Sequence, residues 1–119
     1  MWEKVALSGH ALCGLTTWSG LEQDARFKAG ILLDPYLADM PLGQTDTPVV
    51  LLTMGNKQPS RDECQLWSNL HGARFAVNLR AAEHVTLSDA VWLAKEAVKT
   101  GTMGPESYAR TRFSDVHAR

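Results

Sequence analysis

Short uninterrupted apolar runs alternate with segments of helical periodicity along this chain, and that alternation fixes most of what it can fold into. Val5-Ala6-Leu7-Ser8 is the first run and stops at Gly9. Leu12, Leu15, Trp18 and Leu21 then recur every third residue, which predicts a helix with one buried face; Gly20 weakens it near its end. Phe27-Lys28-Ala29-Gly30-Ile31-Leu32-Leu33 is the second run, closed by Asp34-Pro35, because the residue before proline is biased toward extended backbone. A loop from about Leu37 to Thr47 leads to the third run, Pro48 to Met54. Its apolar residues are continuous, as suits a parallel strand covered on both faces. Ser60 with Glu63 reads as a capping box opening a helix through Leu70, with Cys64, Leu66, Trp67 and Leu70 as its apolar face. Arg74 to Leu79 is the fourth strand candidate. Ser88 or Asp89 begins a further helix, with Val91, Trp92, Leu93, Ala94 and Val98 packing inward and Lys99-Thr100-Gly101 closing it. Pro105 opens a last segment with Tyr108, Phe113 and Val116 as its apolar residues. This order predicts an α/β fold of three layers, a mainly parallel four-stranded sheet with flanking helices and right-handed crossovers.

Composition narrows the function classes. The chain has 119 residues, enough for one domain with a real core and too few for two. Twelve Lys+Arg against thirteen Asp+Glu leave a net charge of −1, so no basic stripe is available to neutralise nucleic-acid phosphates. No apolar run approaches the ~20 residues of a membrane span, and Met1-Trp2-Glu3-Lys4 lacks a signal-peptide pattern. Cys13 and Cys64 supply neither a disulfide framework nor, alone, a structural zinc site. A soluble cytoplasmic protein is expected, with no membrane or nucleic-acid partner, no cofactor and no metal. His71 and His117 have no ligand partners at useful spacing. Trp2, Trp18, Trp67 and Trp92 are expected in a core or an interface.

In parallel sheets the functional groups gather at the carboxyl ends of the strands. Here the strands are followed by His10-Ala11, by Asp34, by Gly55-Asn56 and by Glu83-His84. Four segments carry a resemblance. Val5-Ala6-Leu7-Ser8-Gly9-His10-Ala11-Leu12-Cys13-Gly14 is similar to a strand and nucleophile elbow, and Arg26 to Tyr36 to the strand that delivers a triad acid. Thr47 to Leu52 resembles the strand after it, and Ala82-Glu83-His84-Val85-Thr86-Leu87-Ser88-Asp89 a catalytic histidine loop. The chain thus resembles the C-terminal half of an α/β-hydrolase, nearest to dienelactone-hydrolase-like and platelet-activating-factor acetylhydrolase-like esterases. The order nucleophile, acid, histidine is the order this fold uses.

The resemblance implies a single truncated α/β-hydrolase-like domain over residues 1–119. It implies Ala11 at the nucleophile position, His84 as general base, Asp34 as the acid orienting it, and the Leu12 N–H as one oxyanion donor. Alanine has no hydroxyl for His84 to deprotonate, so no acyl-enzyme forms on it. Cys13 as a substitute nucleophile would put bulky Leu15 where the turn needs a small residue; it reads instead as a small buried thiol between helix and strand. His10 reads as a structural neighbour of the elbow. The strands that precede the elbow in the family, and the loop that completes its oxyanion hole, are absent from this sequence. The expected function is that of an esterase-like protein, related to carboxylic-ester hydrolases and catalytically silent as written, in which an Asp34–His84 hydrogen bond persists as a relic. The alternatives are an active esterase whose Ser is replaced or which a separate chain completes, and a module that binds a small ligand or a protein in the relic pocket. The elbow strand would lie at a sheet edge, which predicts a homodimer or higher homo-oligomer through that edge, or a separate chain supplying further strands.

Overall fold

The computed structural model describes residues 3–38 and 41–106. The element order is β1 (Val5–His10), α1 (Leu12–Gln23), β2 (Phe27–Leu33), β3 (Val49–Met54), α2 (Arg61–Asn69), β4 (Arg74–Leu79), a 3-10 turn (His84–Leu87) and α3 (Ala90–Lys99). The strands form one parallel sheet in the order β1-β2-β3-β4 with flanking helices, the α/β arrangement that the alternation predicts. Tyr108, Phe113, Val116, His117 and Trp2 lie outside the described residues. Among the described residues no helix is long and apolar enough to cross a membrane.

The chain divides into two compact units. One runs to Thr53 and resumes from Lys57 to Asn78; the other takes Met54–Asn56 and the chain from Leu79 onward. The core of the first unit is Trp18, Leu21, Leu32, Leu37, Val49, Leu51, Leu66 and Leu70. Strand pairing explains which side of the sheet these residues use. Leu7 pairs with Gly30 and Gly9 with Leu32, and β3 continues the same rows with Val49 and Leu51. Glycines let α1 approach this face closely: a Cβ on Gly30 would stand 2.4 Å from Leu21, and one on Gly20 2.7 Å from Leu7. Ala6, Ser8 and Ile31 alternate onto the opposite face and are exposed.

Local chemistry places the turns. Ser60 accepts from the Glu63 N–H at 3.1 Å while the Glu63 carboxylate accepts from the Ser60 N–H at 2.6 Å, so the capping box of α2 is complete. Between α1 and β2, the Arg26 guanidinium donates to both carboxylate oxygens of Asp24. That pairing, helped by the Arg26 backbone N–H, holds the Asp24 carboxyl down at about 2 from an ordinary 3.8. In the second unit the Glu83 N–H donates to Thr86 Oγ1 at 2.9 Å and fixes the 3-10 turn. Helix α3 ends on Gly101, whose φ of 74° is free of strain in glycine.

Several sequence expectations need correction. β1 does not stop at Ser8 but runs on through Gly9 and His10, where it still pairs with Leu32 and Leu33. Leu12 is 60 % exposed, because helical side chains tilt toward the N-terminus and the first residue of α1 has no preceding turn to cover. Cys13 is exposed rather than a buried thiol, and Cys64 is exposed as well. α2 instead buries Glu63, Leu66 and Asn69, a stripe from which Cys64 is rotated away. In α3 the covered stripe is Val91, Ala94 and Val98; Trp92 and Leu93 fall outside it and are exposed.

Candidate functional site

The carboxyl ends of β1 and β2 meet at a sharp turn. β1 passes into α1 through one residue, Ala11, whose φ of 55° and ψ of −123° are forbidden to ordinary L-residues and cost about 1–3 kcal/mol. Nothing in the alanine side chain favours this conformation, and no side chain caps the helix that follows. The backbone holds it. The Ala11 N–H donates to the Leu33 carbonyl at 3.1 Å, and the Ala11 carbonyl accepts from the N–H groups of Gly14 at 3.0 Å and Tyr36 at 2.9 Å.

Two glycines make the turn sterically possible. A Cβ on Gly9 would lie 2.0 Å from the Cys13 carbonyl oxygen and 2.5 Å from Thr17 Oγ1, so only glycine admits the helix so close to the strand. A Cβ on Gly14 would lie 2.6 Å from that of Pro35. Gly9 and Gly14 are thus the two positions at which this turn admits no side chain. Pro35 and Tyr36 belong to this turn as its wall and as a hydrogen-bond donor. From the sequence Pro35 is legible only as the end of β2, and no spacing rule links it to Gly14.

Asp34 follows β2 directly. It is 6 % exposed, has a φ of 42°, and donates its N–H to the Leu52 carbonyl at 2.6 Å. Aspartate tolerates positive φ better than most residues. Because the Ala11 N–H bonds to Leu33, the parallel ladder brings Ala11 level with Asp34 on neighbouring strands. The structure thus places two of the three expected triad positions side by side at one end of the sheet. Among the described residues the Leu12 N–H makes no hydrogen bond, so it remains a donor at the first turn of α1, where the helix dipole favours negative charge.

His84 belongs to the second unit, as the first residue of the 3-10 turn, and is exposed. The Thr86 N–H bonds back to the Glu83 carbonyl at 2.9 Å and the Ser88 N–H to that of Val85 at 3.0 Å, so the backbone that carries His84 is ordered by its own turn. His10 is half-buried at the end of β1, and His71 is exposed beyond α2. Among the described residues no three His, Cys, Asp or Glu side chains converge on a point that would hold a metal. An open depression of about 360 Å³ lined by Glu3, Asp24, Ala25, Arg26 and Lys28 lies at the amino ends of β1 and β2, away from Ala11 and Asp34.

Chemically the turn offers a buried carboxyl, an open backbone donor and a methyl group at the apex. A methyl group neither attacks a carbonyl nor carries an acyl group, so the arrangement holds no covalent nucleophile at its apex. Searches against protein-family models and against curated proteins match nothing to this chain.

Proposed function

We propose that this chain is a catalytically silent relative of the α/β-hydrolase serine esterases, in which Ala11 occupies the nucleophile position, Asp34 that of the orienting acid and His84 that of the general base. The observation that carries this reading is the backbone of Ala11. In the hydrolase elbow the nucleophile sits on a strained strand-to-helix turn, and Ala11 sits on such a turn with φ 55° and ψ −123°. Backbone strain of this kind clusters at active sites, and here it is held at a residue with no chemistry of its own. The Leu12 N–H is the oxyanion donor of this reading. An elbow that works with one donor fewer loses ~2.7–4 kcal/mol of transition-state stabilisation, about 10²–10³ in kcat.

The test is to restore the hydroxyl. Wild-type protein should hydrolyse 4-nitrophenyl acetate no faster than buffer does. Ala11→Ser should take up a fluorophosphonate probe at position 11, and His84→Ala in that background should slow the uptake. Ester turnover by the wild-type chain would overturn its silence. A folded Ala11→Ser protein that never takes up the probe at position 11 would overturn the kinship with hydrolases.

A further inference from the structure

Among the described residues β1 ends the sheet, with β2 as its one neighbour. Its backbone directions follow from a single bond. The Ala11 N–H points to Leu33 on β2, so the alternation of the strand turns Gly9 and Leu7 toward β2 and turns Ser8 and Ala6 outward. The irregularity in the β1–β2 ladder lies between Val5 and Ala6, which leaves Ala6 to His10 straight and regular. Ala6 and Ser8 therefore present N–H and C=O groups that no described residue pairs with. Natural edges are blunted by proline, by charged side chains or by bulges. Between Ala6 and His10 there is no proline, no Lys, Arg, Asp or Glu, and no bulge.

We infer that this edge pairs with β1 of a second copy of the chain, antiparallel across a two-fold axis at Leu7. A two-fold operator perpendicular to the sheet keeps each face on its own side, so residues opposite one another must share a face. The register with Leu7 on the axis sets Ala6 opposite Ser8 of the second copy and Ser8 opposite its Ala6. Each such pair exchanges both of its backbone bonds, and every outward group of Ala6 and Ser8 is satisfied. The side chains agree with this choice. Alanine and serine are small, so nothing obstructs the pairing on the exposed face. Leu7 meets its own counterpart at the closer, non-hydrogen-bonded position, where apolar cross-strand pairs stabilise most. A net charge of −1 per chain sets almost no repulsion against the association.

Light scattering on the eluting wild-type protein should give twice the 13.1 kDa chain mass. Ser8→Pro removes one outward donor while leaving the bonds to β2, and should elute as a folded monomer. If that variant fails to fold, a cysteine pair decides. In a Cys13→Ser, Cys64→Ser background, Ala6→Cys with Ser8→Cys should oxidise to a covalent dimer, because residues opposite each other stand ~5.5 Å apart between Cα atoms, within disulfide reach. Ala6→Cys alone should not, since its own counterpart lies two residues further along the facing strand, roughly 7 Å away along its axis. A monomeric wild type, a dimer that survives Ser8→Pro, or a cysteine pair that does not crosslink overturns the inference. So does a stable complex of the wild-type chain with a different protein through this edge.

Discussion

The strained turn makes a prediction about Ala11→Gly, a change that normally destabilises. Glycine loses more backbone freedom on folding than alanine, which costs ~0.5–1 kcal/mol at a site of ordinary geometry. At φ 55° and ψ −123° the alanine Cβ carries about 1–3 kcal/mol of strain that glycine does not feel. Ala11 is only half-buried, so removing its methyl group forfeits little packing. The difference favours glycine by about 1 kcal/mol, with extremes near 0 and 2.5. For a chain of this size that is a rise of about 4 °C in Tm. Ala97→Gly, in the last turn of α3, is the matched control: the same atoms are removed from helical backbone, and stability should fall by up to ~1 kcal/mol. Urea titrations of both variants beside wild type, read by tryptophan fluorescence and circular dichroism, measure the pair. Opposite signs are expected. Equal losses for the two variants would refute the positive-φ turn at Ala11, and with it the observation on which the hydrolase reading rests.

Gly9→Ala should be among the most damaging single changes, because its Cβ meets the Cys13 carbonyl and Thr17 at once and the helix backbone has no slack; a loss of about 3 kcal/mol is expected in the same titration. Ser60→Ala breaks the capping box of α2 and should cost ~1 kcal/mol. Asp24 should titrate near 2, as followed by its carboxyl carbon resonance, and Arg26→Ala should return the midpoint toward 3.8. The folded-state pKa is lowered, so whatever stability this pair contributes is fully present above 3.8 and disappears as pH falls through about 2.

The local signals in this chain were legible because each rests on neighbouring residues. The Ser60–Glu63 pair and the Lys99-Thr100-Gly101 end fall where sequence spacing places them, and β2 does end before Asp34-Pro35, although Asp34 has a φ of 42° and not the extended backbone expected ahead of proline. What the sequence hid depends on residues far apart in the chain. Pro35 against Gly14, and the Tyr36 N–H on the Ala11 carbonyl, join two strand ends that no periodicity connects. β1 runs past Gly9 because that glycine serves close helix approach and does not break the strand. The apolar character of Trp92 and Leu93 states what those side chains prefer; which stripe of α3 is covered depends on its neighbours, and small Ala94 occupies it. Cys13 is a like case: a small apolar residue at a strand-to-helix turn suggests burial, yet it lies exposed on the first turn of α1.

The turn at Ala11 is held by its backbone, because the side chain at its apex does nothing to hold it. Strain of about 1–3 kcal/mol at Ala11 is opposed by its backbone bonds to Leu33, Gly14 and Tyr36, each contributing ~1 kcal/mol net. Those terms are of the same size, and none of them involves the Cβ substituent. Gly9 and Gly14 supply the closeness, and Leu33 to Tyr36 supply the partners, whichever small residue stands at position 11. Geometry and chemistry are therefore separable at this site. A hydroxyl or a methyl group at the apex leaves the turn equally well held, so Ala11→Ser should match wild type in stability to within ~0.5 kcal/mol. Any reactivity it gains then belongs to the hydroxyl and its surroundings, not to a rearranged fold.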